Sequence, residues 1–328
     1  MGADVTFGDP NTALNDSSRA RFMADVVMGL GRNPRSIPCK YFYDHKGSLL
    51  FERITEQPEY YPTRAETELL ESHAPQMAMT LGPHVDLIEL GSGSSIKTLI
   101  LLDVLKRPSR YVPIDISAKH LRETAEALSR RYPDLRIEPV VADYSARVEG
   151  VSSVPNARRV VFFPGSSIGN FEPEEAVRFL RRARDLAGDG GVVLIGVDCS
   201  KDPILLERAY NDEARVTSEF NLNLLHRMRK ELGAELDVSA FRHLAVWQPE
   251  RSRIEMRLIA TRPLRIRLDG QSFMFERDEY VVTEHCYKHD VKEFRALACS
   301  AGLSPGEVWF DSQKRMSMHW LDVGGSSA

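Results

Sequence analysis

The sequence predicts an α/β protein: a parallel, doubly wound sheet interrupted by an inserted α+β unit. Three observations carry this. Between Thr63 and Asp198, short apolar runs alternate with amphipathic stretches at the spacing of strand–helix units. From about 203 to 285 the alternation stops, and a helical stretch gives way to strands joined by tight turns. From 286 onward a helix and two strand segments resume the first pattern. A length of 328 residues suits two such units. The boundaries expected are 63–200 plus 286–328 for the core, 17–62 plus 201–285 for the second unit, and 1–16 for a flexible arm.

Taken in order, Asp16, Ser17 and Ser18 can cap a helix running to about Gly29, with Phe22, Val26 and Leu30 along one side. Pro34 and Pro38 then lead into a turn-rich stretch holding Tyr41, Phe42, Tyr43, Phe51, Tyr60 and Tyr61. Such rings pack a lobe or wall a pocket. A helix over 64–80 precedes a strand at 85–90. Helices over 96–106, 117–131 and 173–187 alternate with strands that end near Asp115, within 135–144, near Phe163 and at Asp198. Residues 203–231 read as helical, and 241–248, 252–260, 264–268, 272–276 and 280–288 as strands, with Asp269-Gly270 as a hairpin turn. The helix at 291–303 ends at Gly302, and 307–311 and 317–322 supply closing strands.

Composition excludes several classes. Hydrophobic residues make 42% of the chain and the net charge is -4, which rules out a disordered protein. No concentrated basic face is evident, so no nucleic-acid partner is expected. No apolar run approaches the ~20 residues of a membrane span. The N-terminal stretch lacks the basic and apolar regions of a secretion signal. Cys39, Cys199, Cys286 and Cys299 are scattered, with no C-x-x-C pair. That suggests reduced thiols in a cytoplasmic protein and no metal site. A monomer is expected.

The candidate site residues fall at strand ends. Glu89-Leu90-Gly91-Ser92-Gly93 follows the first core strand, where glycines let backbone approach a ligand. A dinucleotide fingerprint would place a third glycine at 96, which is Ile96. This disfavours an NAD-dependent oxidoreductase and suits a cofactor without pyrophosphate, such as S-adenosylmethionine. Asp115 ends the second strand, as a ribose ligand or as a cap for the next helix. Asp143 and Tyr144 follow the third strand, where an acid and a ring can meet adenine. The loop Gly165-Ser166-Ser167-Ile168-Gly169-Asn170 follows the fourth, and Asn170 suits a substrate carboxylate. Glu284 is a charge in a half-buried strand and needs a partner.

Together these segments resemble the L-histidine Nα-methyltransferase family of ergothioneine biosynthesis. The resemblance runs from about Ser36 to Trp320 and rests on several ordered motifs. They include Lys40-Tyr41-Phe42-Tyr43-Asp44, Pro58-Glu59-Tyr60-Tyr61-Pro62-Thr63-Arg64 and the two glycine loops above. Arg208-Ala209-Tyr210-Asn211-Asp212, Arg253-Ile254-Glu255-Met256 and Thr283-Glu284 complete them. It implies a Rossmann-like S-adenosylmethionine methyltransferase core with an inserted substrate-binding unit. The implied reaction is trimethylation of the α-amine of histidine to hercynine, with S-adenosylhomocysteine as the other product and no metal.

The resemblance also implies roles. Asn170 and Tyr210 would hold the α-carboxylate, and Tyr43 and the Gly165 carbonyl would face the amine. Tyr60, Met256 and Glu284 would surround the imidazole, with Phe220 lining the pocket. Glu89, Gly91, Gly93, Lys97, Asp115, Asp143 and Tyr144 would bind the cofactor. Methyl transfer from a sulfonium is an in-line displacement, so orientation matters more than a strong base. One departure stands out. The family motif places a serine two positions after Glu284, and here that residue is Cys286, a weaker donor. Two readings follow: histidine held by a weaker contact, or another amino acid such as a tryptophan derivative. A separate alternative is a non-catalytic S-adenosylmethionine-binding protein. Glu284 favours an imidazole, and the full set of substrate ligands favours an enzyme.

Overall fold

The computed structural model describes residues 16–93 and 95–324. The arm expected over 1–16 lies, apart from Asp16, outside the described residues. In order the chain forms α1 (Asp16–Leu30), β1 (Arg35–Ser36), α2 (His45–Thr55), α3 (Tyr61–Leu81), β2 (Val85–Leu90), α4 (Ile96–Leu102) and β3 (Arg110–Asp115). Next come α5 (Ala118–Arg131), β4 (Val140–Val141), β5 (Arg158–Phe163), α6 (Pro173–Ala187), β6 (Val192–Asp198), α7 (Pro203–Tyr210) and α8 (Val216–Leu232). The remainder is β7 (Phe241–Gln248), β8 (Arg253–Ala260), β9 (Leu264–Leu268), β10 (Gln271–Phe275), β11 (Tyr280–Tyr287), α9 (Val291–Ser300), β12 (Ser304–Phe310) and β13 (Met316–Asp322). None of the described helices is long and apolar enough to cross a membrane.

Among the described residues the larger sheet has seven strands in the order β12-β13-β6-β5-β2-β3-β4. The strands from β6 to β4 are parallel, whereas β13 runs antiparallel to β6 and to β12. All six residues of β2 are buried, as a strand covered on both faces requires. Its alternation splits the core. Val85 and Leu87 join the apolar layer containing α3 and α4 residues, and Ile88 and Leu90 join the layer of α6 and α9. The winding direction reverses between β2 and its neighbours β3 and β5, which opens a crevice beyond their carboxyl ends.

The smaller sheet has the order β1-β11-β8-β7, with β1 parallel to β11 and the rest antiparallel. The pair β9–β10 stands apart, closed by Asp269 and Gly270 at φ 51° and 71°, the left-handed pair of a type I′ turn.

Four expectations need correction. The stretch 203–231 is two helices, because the Asp212 carboxylate accepts the Val216 and Thr217 N–H groups (2.7 and 2.9 Å) and starts α8 afresh. The helix expected over 96–106 ends at Leu102. Within 135–144 only Val140–Val141 forms a strand, and Ile137 adds an isolated bridge to Tyr111, so the sheet edge is broken rather than continuous. Finally, β11 extends to Tyr287, so Cys286 lies in the smaller sheet and not in the core segment expected to begin there.

The two sheets touch closely at Gly169, in the turn after β5. A β-carbon there would sit 2.5 Å from the Tyr287 carbonyl oxygen and 3.1 Å from its nitrogen. Backbone meets backbone, so neither side can swing away. Gly169→Ala is therefore expected to cost about 1–3 kcal/mol by overpacking. Urea denaturation checks this, and an unchanged midpoint would mean that the junction relaxes freely.

Candidate active site

A cavity of about 220 Å³ opens at the crevice. Its walls include Gly91, Gly93 and Lys97 after β2, Asp115 after β3, Asp143 and Tyr144 after β4, and Gly165 and Asn170 after β5. Tyr43 and Tyr60 close it from the N-terminal segment. Among the eleven expected residues that line it, Glu89 forms part of the floor.

The glycine loop is shaped by sterics. Gly91 sits at φ 69°, and a β-carbon on it would lie 3.0 Å from the Tyr144 ring. Its N–H and that of Ser92 donate to the Ile114 carbonyl (2.8 and 3.1 Å). Asp115 ties this loop to the next helix. One oxygen accepts the Gly93 N–H (3.1 Å) and the other the Ser117 N–H (2.9 Å). The Ser92 hydroxyl is buried without a hydrogen-bond partner, a polar group left for a ligand.

Glu89 is engaged differently from a free ligand. Thr98 donates to one oxygen (2.5 Å) and Tyr111 to the other. Burial pushes its carboxyl up to about 7, against those bonds and the Lys97 charge. Asp143 goes the other way. Burial opposes its charge, but the Ser145 hydroxyl and the Lys40 ammonium (3.2 Å) hold it below the usual carboxylate range.

Glu66 carried no signal in the sequence reading, yet it organises the reacting end. It is fully buried, pairs with Lys97 (2.5 Å) and accepts the Gly165 N–H on both oxygens (2.9 and 2.8 Å). The start of the Gly165 turn is thereby anchored. The available clue was Gly196, an isolated glycine inside a buried strand. A β-carbon there would lie 1.9 Å from the Glu66 carboxylate.

The other expected residues form a layer behind the two tyrosines. Phe220 packs on Tyr43 (ring centroids 5.5 Å apart) and Tyr210 on Tyr60 (6.1 Å). Met256 lies opposite Glu284 in the β8–β11 ladder. A bulge at Thr283 re-aims Glu284, and the Thr283 hydroxyl is held by Asn221 (2.8 Å) and the Met256 carbonyl (3.1 Å). Cys286 is buried, and its sulfur accepts from Tyr210 (2.9 Å) and Lys288 (3.2 Å).

The side chains of Tyr43, Tyr60, Asn170 and Glu284 make no hydrogen bond to any described residue. Burial pushes Glu284 up to about 7, with only the Lys288 ammonium pulling the other way. It also pushes the Tyr43 hydroxyl well above its ordinary value, so Tyr43 is a neutral phenol.

Strand order and cavity together define an S-adenosylmethionine-dependent methyltransferase. The match narrows further. Residues 22–323 fit the family model "Histidine-specific methyltransferase, SAM-dependent", and the chain belongs to that family. It is 38% identical over 302 residues to the histidine N-alpha-methyltransferase of Mycobacterium tuberculosis, covering 90% of this chain and 93% of that one. It is 31% identical to ergothioneine biosynthesis protein 1 of Neurospora crassa, over 75% of this chain and 30% of that one. The 4-dimethylallyltryptophan N-methyltransferase of Epichloe festucae var. lolii is 27% identical, over 91% and 94% of the two chains.

Asp115 separates ligand binding from helix capping. Asp115→Ala is expected to weaken S-adenosylmethionine binding at least about 10-fold, because an acceptor for polar hydrogens is lost. Calorimetry and a thermal melt of the ligand-free protein check this. Retained affinity with a lowered melting point would leave Asp115 as a cap alone.

Proposed function

We propose that this enzyme methylates the α-amine of L-histidine three times, giving hercynine, the first step of ergothioneine formation. The observation that carries the reading is Glu284, a carboxylate at a bulge beside Tyr43 and Tyr60 with no hydrogen-bond partner among the described residues. Such a group is costly unless a ligand pairs with it. An imidazole N–H suits it. The higher identity to the histidine enzyme than to the tryptophan-derivative enzyme supports the same reading.

The residues fit S-adenosylmethionine, since Gly91 and Gly93 leave the cradle open and Ser92 offers an unpaired hydroxyl. When bound, S-adenosylmethionine supplies an electrophilic methyl group on a sulfonium. Gly91, Gly93, Lys97, Asp115, Asp143 and Tyr144 would hold it, with Glu89 setting the floor through Thr98 and Tyr111. The smaller sheet with the N-terminal helices forms the substrate-binding part. Tyr210 from that part and Asn170 from the turn after β5 hold the carboxylate, and Tyr43 and the Gly165 carbonyl orient the amine. Tyr43 stays protonated and orients without acting as a base. Tyr60, Met256 and Phe220 enclose the side chain. Tyrosine faces also stabilise a quaternary ammonium product by about 0.5–2 kcal/mol. Each group acts through position, and proximity can supply several kcal/mol of the barrier.

Incubation with S-adenosylmethionine and a panel of histidine, tryptophan and 4-dimethylallyltryptophan, read by mass spectrometry, tests the substrate. Three methyls on histidine are expected. Methylation of a tryptophan derivative in preference would overturn the assignment and trace to Cys286.

A pH dependence follows from Glu284. It accepts an N–H as a carboxylate, and it takes up a proton as pH falls through about 7. Histidine affinity should therefore drop on the acid side of that value. Glu284→Gln should bind histidine about 10- to 100-fold more weakly at pH of about 8 and lose the acid limb. Its S-adenosylmethionine affinity should stay within about threefold. Calorimetry with both ligands decides, and equal losses for the two would remove Glu284 from the substrate site.

A further inference from the structure

Behind Tyr60 lies a charged pair with no role in the scheme above. Lys288 and Asp198 have fully buried side chains, and their Nζ and Oδ2 atoms are 2.7 Å apart. Taking two charges out of water is costly, and apolar residues would join two strands as well or better. The contacts of the pair suggest another purpose. An ammonium has three N–H bonds. In Lys288 they reach the Asp198 carboxylate, the Tyr210 hydroxyl oxygen (3.1 Å) and the Cys286 sulfur (3.2 Å). Because the Tyr210 oxygen accepts from Lys288, its own proton points elsewhere, and it goes to the Cys286 sulfur (2.9 Å). The Lys288 ammonium also stands 5.0 Å from the centre of the Tyr210 ring.

Asp198 is itself held on all sides. Tyr61 donates to Oδ2 (2.5 Å) and the Ser200 N–H to Oδ1 (3.0 Å). Its own N–H donates to Ser166 Oγ (2.7 Å), beside Gly165. The pair is thus locked to the loop at the reacting end.

We propose that Lys288 is a positioning residue for amino-acid recognition: it fixes and polarises the Tyr210 hydroxyl as a donor to the α-carboxylate of the substrate. Cys286 is then the resting acceptor that the carboxylate displaces. A thiol sulfur accepts weakly, so the Tyr210 proton is released at little cost. A carboxylate gains from the nearby positive charge without touching it, and a plain amine gains nothing. The inference rests on the reading of Tyr210 as a carboxylate ligand.

Lys288→Met alone would strand the Asp198 charge, so the test uses the double variant Lys288→Met/Asp198→Asn beside Tyr210→Phe and the triple combination. Calorimetry measures histidine, histamine and S-adenosylmethionine on each full-length protein. The double variant should bind histidine about 10- to 100-fold more weakly, the loss of a hydrogen bond to a charged group. Histamine, which lacks the carboxylate, and S-adenosylmethionine should change by less than about threefold. Adding Tyr210→Phe to the double variant should cause no further loss, as expected for groups acting as one unit. Equal losses for histidine and histamine would make the pair structural and overturn the proposal. So would losses from the double variant and Tyr210→Phe that simply add. If Tyr210→Phe binds histidine like the parent, the carboxylate role of Tyr210 falls, and the proposal falls with it, while methylation of histidine by the parent would still uphold the proposed reaction.

Discussion

The buried ion pair of Lys288 with Asp198 stands where the two sheets meet. Asp198 is the last residue of β6, and Lys288 follows the last residue of β11. Around them stand Tyr61 at the start of α3, Tyr210 at the end of α7 and Ser166 in the turn after β5. A desolvated pair tolerates little displacement, because its attraction offsets the lost hydration only at good geometry. The pair thus joins the core crevice to the smaller sheet at one charged point within an apolar layer that both sheets share. Glu66 repeats the device nearer the cavity, joining α3, α4 and the Gly165 turn through one carboxylate.

Local signals were readable in the chain and distant pairings were not. The helix Pro173–Ala187 was legible because proline opens it and Gly188 closes it. The five core strands beside it were legible as apolar runs, except β4, where two paired residues leave no pattern. The strand β1 is equally short and finds its partner on β11, far along the chain. The break in 203–231 depends on where one aspartate points, which periodicity does not reveal. Among site residues, those after core strands follow from the rule that ligands sit beyond strand ends. Glu66 and Lys288 were hidden, since a lone charge in a helix or after a strand reads as solvated until its partners are placed. Glu89 was legible as a position but not in its manner of bonding.

The site is economical in charge. Its open walls carry tyrosine, asparagine and glycine, and its charged groups are mostly satisfied by one another. A zwitterion with a neutral ring is a good match for such a surface, since each of its charges finds an oriented dipole rather than a bare opposite ion. Cys286 fits this scheme. Burial pushes the thiol up, so it stays neutral beside Glu284 and Lys288. It adds volume and polarisability without adding another charge.

The connectivity of the smaller sheet has a consequence for modularity. Its strand β1 precedes all of the core, while β12 and β13 of the core follow all of the smaller sheet. Each sheet is thus threaded through the other along the chain. No single cut separates the two sheets, so neither can be exchanged as one contiguous cassette for that of a relative. The pocket is therefore altered one side chain at a time inside an unbroken frame.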